Sequence, residues 1–436
     1  MSNIDYSDTN NTPPIGEAVP LGLQHVLAMF ASNVTPSIIV AGAAGLAFGG
    51  AEQIYLIQMA MLFAGIATLF QTIGIGPIGA RLPIMQGTSF AFVGVLAGVA
   101  ATQGLSVALT ACIIAGLIHF SLGSVIQKLR FMFPPLVTGL VILAIGLYLI
   151  SVAIKYAAGG AADFQMAADS FGSLLHWTVA LTVVVVSLAC KFMTKGLISN
   201  AAILIGLIAG YIVAVFSGMV SFGGVENAKW FQLPAVMPYG FEFSLGAVIG
   251  VTLVSLVSAI ETIGDTSATT KAGSERDATD AEISGATYAD GLGTAVAGVF
   301  GGLPNTSFSQ NVGIVGMTGI MSRHVVTIAG IIMIICGLIP KIGAVISSMP
   351  LPVLGGGVIV MFGMVAAAGM NMLSTVSMNR RNMIIISVSL AVGLGLNLVP
   401  SAVQHLPGIW KTLATSAVAP TALLAVIMNL VLPEDD

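Results

Sequence analysis

Apolar residues run along this 436-residue chain in long stretches separated by short polar breaks. A helix needs roughly 20 predominantly apolar residues to cross a bilayer. Runs of that kind fall near 21–43, 54–74, 84–99, 105–124, 135–156, 172–192 and 198–217 in the first half. In the second half they fall near 244–266, 279–300, 305–320, 323–340, 352–370, 382–398 and 415–432. The pattern predicts an all-α polytopic membrane protein of about 14 spans. Lipid offers backbone groups no hydrogen-bond partners, and the short dyad repeats of a transmembrane barrel are absent. The leading MSNIDYSDTNNTPPIGEAVP is polar and acidic, without a basic segment and apolar core. It reads as a disordered cytoplasmic tail over 1–20, not a signal peptide.

Two polar, turn-prone phrases interrupt this pattern: TSFAFVG from Thr88 to Gly94 and TSFSQNVG from Thr306 to Gly313. Their first threonines are 218 residues apart, half the length of the chain, which points to an internal duplication. Seven spans per half make the two halves enter the membrane from opposite faces, the 7+7 inverted repeat common among secondary transporters. The longest polar insertion, SFGGVENAKWFQLPAVMPYGFEF, lies between the seventh and eighth spans, where a hinge between repeats is expected. Both phrases follow a proline, Pro83 and Pro304. Irregular backbone at membrane depth is tolerated where it is buried in protein or lines a cavity, and a matched pair of broken segments points to a transporter's binding site. The plainer reading is a pair of small-residue seams for helix packing. The half-chain offset favours the binding reading.

Composition agrees: 56% of residues are hydrophobic and 7% charged, too little polar surface to cover a soluble globule of this size. With the N-terminus cytoplasmic, alternate loops collect Arg81, Lys128, Arg130, Lys191, Lys195, Lys271, Arg276, Arg323, Arg380 and Arg381 inside. Lys155, Lys229, Lys341 and Lys411 fall outside, so ten against four account for all 14 basic residues and obey the positive-inside rule. Cys112, Cys190 and Cys336 sit in apolar runs without metal or redox spacing and read as small core residues. A net charge of −4 without a basic stripe excludes nucleic acid as a partner. No nucleophile–base pair or metal-ligand cluster emerges, so neither an enzyme nor a cofactor or metal is expected.

Ionisable groups inside a membrane are costly, and each is a functional suspect. The eighth span carries Glu261 and, four residues on, Asp265 on the same helix face. Glu261 is deep in the span; Asp265 reads as readily as a solvated helix-end residue. Asp290, among small residues in YADGLGTAVAG, reads equally as a structural partner or a proton carrier. Gln24 and His25 open the first span, where an interhelical hydrogen bond is the commoner role; His119, alone in an apolar run, reads as structural. Phe90 and its repeat mate Phe308 are packing residues by default, but Phe90 is positioned to stack on a planar ligand.

The run QNVGIVGMTG, Gln310 to Gly319, resembles the signature of the nucleobase-ascorbate transporter family: Gln, Glu or Pro, then Asn-x-Gly, then Thr-Gly, Thr-Lys or Thr-Arg. Gln24-His25, the first TSF, ETIGD from Glu261 and Asp290-Gly291 follow the family's order, so the resemblance covers nearly the whole chain. It implies a core domain of spans 1–4 and 8–11 (21–124 and 244–340) and a gate domain of spans 5–7 and 12–14 (135–217 and 352–432). Short extended segments in spans 3 and 10 would meet mid-membrane, with the substrate between them and span 8.

By the same resemblance, Glu261 accepts hydrogen bonds from ring N–H groups and Gln310 is the second substrate residue, Gln in purine-selective and typically Glu in uracil-selective members. An amide offers donor and acceptor, which suits the mixed edge of a xanthine. Phe90 matches the stacking aromatic and Asn311 the next signature position; Ser89, where xanthine-restricted relatives can carry Asn, leaves room for the extra oxygen of uric acid. His25, Asp265 and Asp290 match positions tuning affinity and proton coupling. The expectation is proton-coupled uptake of xanthine or uric acid across the plasma membrane by alternating access, in a homodimer with cytoplasmic termini. A uracil symporter of the same family, or an anion carrier of the same architecture, is the alternative. A channel, which needs a filter repeated around a pore, fits less well.

Overall fold

In the computed structural model, which describes residues 7–160, 163–164 and 166–433, the apolar runs become fourteen helices of ten or more residues. In chain order they are α1 (Ile15–Ala43), α2 (Ala51–Ile73), α3 (Val93–Gln103), α4 (Leu105–Leu122), α5 (Pro135–Ala157), α6 (Leu174–Met193) and α7 (Ala202–Phe216). Then follow α8 (Leu245–Ser274), α9 (Asp280–Val299), α10 (Ser309–Thr318), α11 (Arg323–Gly337), α12 (Leu351–Leu373), α13 (Arg380–Leu398) and α14 (Val418–Val431). Eight of them (α1, α2, α4, α5, α6, α8, α12 and α13) are long and apolar enough to cross a membrane unaided. A ninth arises if α11 and the short helix Pro340–Ser347, bent by 78°, count together. The molecule is a helical membrane protein, and the remaining expected spans are shorter or more polar segments.

Two expectations are corrected at the helix ends. The leading tail is not unstructured to residue 20. Helix α1 begins at Ile15 behind Pro14, whose missing N–H costs nothing at a helix start. Residues 7–11 lie across the same end of the bundle: the Arg323 N–H donates to the Thr9 carbonyl at 3.0 Å and the Ser322 hydroxyl to that of Asn11 at 2.6 Å. Helix α8, expected to end near 266, runs on to Ser274.

The two broken segments form one antiparallel ribbon, β1 (Gln86–Thr88) with β2 (Asn305–Ser307). Gln86 faces Ser307, Gly87 faces Thr306 and Thr88 faces Asn305. Flanking bonds lengthen the ladder, from the Ser89 N–H to the Pro304 carbonyl at 2.9 Å and from the Phe308 N–H to the Met85 carbonyl at 3.0 Å. The N–H groups pointing away from the ribbon are met by side chains. Gln86 donates to the Thr68 hydroxyl on α2 at 2.9 Å, Asn305 to that of Thr294 on α9 at 3.1 Å, and Thr88 to Asn33 Oδ1 on α1 at 2.8 Å. Buried extended backbone thus stays satisfied without water. Gly87 is required by space: a Cβ there would lie 2.6 Å from both Met29 Cε and Phe308 Cε2.

Around the ribbon, helix contacts come in matched pairs: α2 with α11 and α9 with α4, α1 with α11 and α8 with α4, and α1 with α2 and α8 with α9. Helix α5 packs along α12. Small residues allow these close approaches. Gly337 lies so near α2 that a Cβ would sit 2.4 Å from the Leu62 nitrogen, and at Gly116 on α4 one would sit 2.5 Å from the Ala295 nitrogen of α9.

Candidate functional site

The chain leaves the ribbon at its two opposite ends, β1 through Ser89 and Phe90 toward α3 and β2 through Phe308 into α10. A cavity of about 210 Å³ is lined from both exits. Thr88, Ser89 and Phe90 line it from one segment and Thr306 to Gln310 from the other. Glu261 enters from α8. The remaining wall is apolar, with Ile142 and Ile145 from α5 and Met364, Val365 and Ala368 from α12. The Phe90 ring meets that of Phe362 of α12 in a T-shaped contact, centroids 5.1 Å apart and planes at 88°.

The polar groups around the cavity divide sharply into engaged and free ones. Asp265 accepts the hydroxyls of Ser307 and Ser309, both at 2.7 Å. It is buried in the middle of α8, which corrects the solvated helix-end reading. Asp290 is fully buried and accepts three donors: Gln86 Nε2 at 2.5 Å, Gln71 Nε2 at 3.2 Å and the Thr262 hydroxyl. Thr306 accepts the Ser258 hydroxyl at 3.1 Å. By contrast, neither the Glu261 carboxylate nor the Gln310 amide makes a hydrogen bond among the described residues, although both line the cavity. Both project from regular elements, Glu261 from within α8 and Gln310 from the first turn of α10, so the surrounding packing fixes where they can reach.

Five of the residues singled out from the sequence therefore meet at one cavity: Glu261, Gln310, Phe90, Ser89 and Phe308. Asn311 does not line it. Its amide donates to the His25 carbonyl at 3.0 Å and lies 3.0 Å from His25 Nδ1, fastening α10 to α1. Gln24 and His25 are buried in α1 and also outside the lining, and His119 is buried in α4. Sequence reasoning missed Thr88, Ser307 and Ser309 as lining residues, and Gln86 and Gln71 as partners of Asp290. The MQGTSF context of Gln86, a polar residue entering a broken span, was the signal available for it. The apolar wall from α5 and α12 carried none, since those residues look like any other part of a span.

The chain is similar to known permeases over nearly its whole length. Residues 16–430 match the family model described as "Permease family". The chain is 38% identical over 411 residues to the uric acid permease PucK of Bacillus subtilis, covering 94% of each chain. It is 32% identical over 451 residues to the xanthine permease XanQ of Escherichia coli K12, covering 99% of this chain and 96% of that one. Among solved structures, the transmembrane domain of the cyanobacterial bicarbonate transporter BicA superposes with a TM-score of 0.63 over 96% of this chain and 99% of that one, at 15% identity. The anion transporter SLC26A9 gives 0.58 over 94% of this chain and 66% of that one, at 14%. Those two likenesses speak to the fold, and the sequence matches to the family: the chain belongs to the nucleobase-ascorbate transporter family of permeases.

Proposed function

We propose that this permease is a secondary active transporter that takes up a purine base, xanthine or uric acid, together with protons. The observation that carries the reading is the contrast at the cavity: Glu261 and Gln310 are free while the polar side chains behind them are engaged. In this reading Glu261 accepts from ring N–H groups, Gln310 reads a mixed donor–acceptor edge, and Phe90 stacks on the ring. Phe308 and Ser89 shape the pocket. The names of relatives at 32% to 38% identity, uric acid and xanthine permeases, support a purine substrate.

Alternating access follows if the ribbon and the helices around it form a core that moves against α5–α7 and α12–α14, the gate. The cavity's two faces, polar from the ribbon and α8 and apolar from α5 and α12, fit a substrate held between such units. The matched helix contacts support the inverted repeat of seven and seven. The basic residues favour cytoplasmic termini, and a homodimer through the gate belongs to the same proposal. Protonation of a carboxylate facing a cavity with an apolar wall is linked to what binds beside it, so Glu261 is the coupling group, with Asp265, Asp290, His25 and Gln24 setting its surroundings.

Uptake of labelled xanthine, uric acid and uracil in cells lacking their own carriers, with Gln310→Glu alongside, tests the substrate. Purine uptake by the unaltered protein is the expected result, and uracil uptake without purine uptake overturns it. Collapse of the proton gradient is expected to abolish accumulation; dependence on Na⁺ instead removes the proton from the scheme. The likeness to BicA keeps an anion carrier as the second reading, and the free carboxylate of Glu261 in the cavity argues against it.

A further inference from the structure

The insertion between α7 and α8 is polar only in its first part. From Trp230 to Phe243 it carries one charged residue, Glu242, whose carboxylate accepts the Ser106 hydroxyl of α4 at 2.9 Å. Six large apolar side chains of this stretch, Trp230, Phe231, Leu233, Val236, Phe241 and Phe243, are 59% to 74% exposed. The backbone that carries them is pinned to the bundle. The Gln232 N–H donates to the Leu338 carbonyl just past α11 at 3.2 Å, and its carbonyl accepts Gln58 Nε2 of α2 at 3.3 Å. The Ala235 N–H donates to the Tyr55 hydroxyl of α2 at 2.9 Å and that of Met237 to the Val299 carbonyl of α9 at 2.8 Å. The Glu242 N–H donates to the Thr110 hydroxyl of α4 at 3.2 Å. Lys341 Nζ lies 5.3 Å over the Trp230 ring. Held at so many points, the stretch cannot fold inward to hide its apolar side chains.

Its pattern is that of a surface facing lipid. Through Phe231, Gln232 and Leu233 the chain alternates with apolar residues outward and the polar one inward, the reverse of a loop facing water. An exposed apolar row of this size marks an interaction surface. The anchors give its level in the membrane. Tyr55 and Gln58 are the fifth and eighth residues of α2, and Thr110 the sixth of α4, so they lie roughly 6–11 Å inside the helix ends. Helix α2, with 23 residues, is about 35 Å long against a hydrocarbon core of about 30 Å. Anchors one to two turns inside the ends therefore stand at the boundary of headgroups and acyl chains, where aromatic side chains collect. We infer that residues 230–243 lie in the membrane interface, with Trp230, Phe231, Leu233, Val236, Phe241 and Phe243 inserted into the phospholipid leaflet at the end of the bundle opposite the N-terminus. The linker between the two halves is then an interfacial anchor fixed to the helices around the ribbon, not a free hinge. This holds whatever substrate the cavity takes.

The test uses the full-length protein reconstituted in phosphatidylcholine vesicles. Trp177→Phe combined with Trp410→Phe leaves Trp230 alone of the three tryptophans. Its fluorescence is quenched in turn by lipid bearing a nitroxide near the headgroup, by lipid bearing one near the chain end, and by aqueous iodide. The label near the headgroup is expected to quench at least about twofold more than the label at the chain end, because an interfacial side chain sits roughly 5–10 Å into the headgroup and acyl boundary. Iodide is expected to quench about threefold less than it quenches a free tryptophan derivative, as for a ring at headgroup level. The difference between the unaltered protein and Trp230→Phe reads the same quantities with the other two tryptophans in place. Strong quenching by iodide with little from either lipid overturns the inference, since the row would then lie in water. Stronger quenching by the chain-end label overturns it as well. So does silence toward all three quenchers, which would place the row against a second copy of the chain.

Discussion

Gln86 and Asp290 meet at 2.5 Å, amide to carboxylate, so the strand that delivers Thr88, Ser89 and Phe90 to the cavity is tied directly to α9. The other carboxylate oxygen of Asp290 accepts the hydroxyl of Thr262, the residue after Glu261. One buried side chain thereby sets the position of the ribbon relative to the free carboxylate. Replacing Asp290 with Ala leaves the Gln86 amide without an acceptor and takes one of two acceptors from the Gln71 amide and the Thr262 hydroxyl. It is expected to lower the thermal stability of the purified protein by several degrees and to abolish uptake. Gln86→Leu removes one donor of three and should cost roughly 1–3 kcal/mol of stability with partial uptake retained. Melting in detergent, monitored by loss of the monodisperse peak, compares the two; an unchanged melting point for Asp290→Ala would refute the assignment.

Asp265 depends on two serines in the same way. Ser307→Ala and Ser309→Ala each remove one hydrogen bond to a buried carboxyl group, worth roughly 1–3 kcal/mol. Because they share one carboxylate, the double variant is expected to deviate from the sum of the single losses. A double-mutant cycle on thermal stability measures that coupling, and strict additivity would mean the two hydroxyls act independently.

Asn311 separates packing from recognition. Its amide is occupied by His25, so Asn311→Ala is expected to lower stability and maximal uptake rate while leaving the competition constants of purines within about threefold, the loss being that of a structural hydrogen bond. Gln310→Ala, one residue earlier, should do the reverse. Measuring both constants for both variants distinguishes them.

Gly87→Ala probes the ribbon. The added methyl would meet Met29, Phe308 and Asn33 at 2.6 to 2.9 Å. The expected cost is about 1–3 kcal/mol, typical of overpacking, with loss of uptake because Phe308 lines the cavity. Wild-type uptake at wild-type abundance would contradict the tight approach.

What was legible in the sequence follows from how each feature is encoded. The apolar runs and the half-chain offset of Thr88 and Thr306 write helices and a paired break into local composition, and the structure forms both. The end of α8 was not legible, because the polar run after Glu261 looks like a solvated terminus. Instead, Thr266, Thr269 and Thr270 return their hydroxyls to the carbonyls of Thr262, Asp265 and Thr266, which lets a threonine-rich helix continue while buried. The occupancy of Asn311 by His25 and of Asp290 by Gln86 joins positions 286 and 204 residues apart, and no spacing rule reaches that far. The wall formed by Ile142 and Met364 is likewise set by helix packing alone.

If the cavity bearing free Glu261 and Gln310 binds a purine, the folded protein is stabilised by that purine. Ligand-dependent melting of the purified protein tests it most directly, since a ligand that binds the folded state raises the melting temperature with concentration. Xanthine or uric acid is expected to stabilise the unaltered protein, whereas Glu261→Gln melts at a similar temperature without ligand and gains nothing from either purine. Equal stabilisation of Glu261→Gln by purine would contradict it.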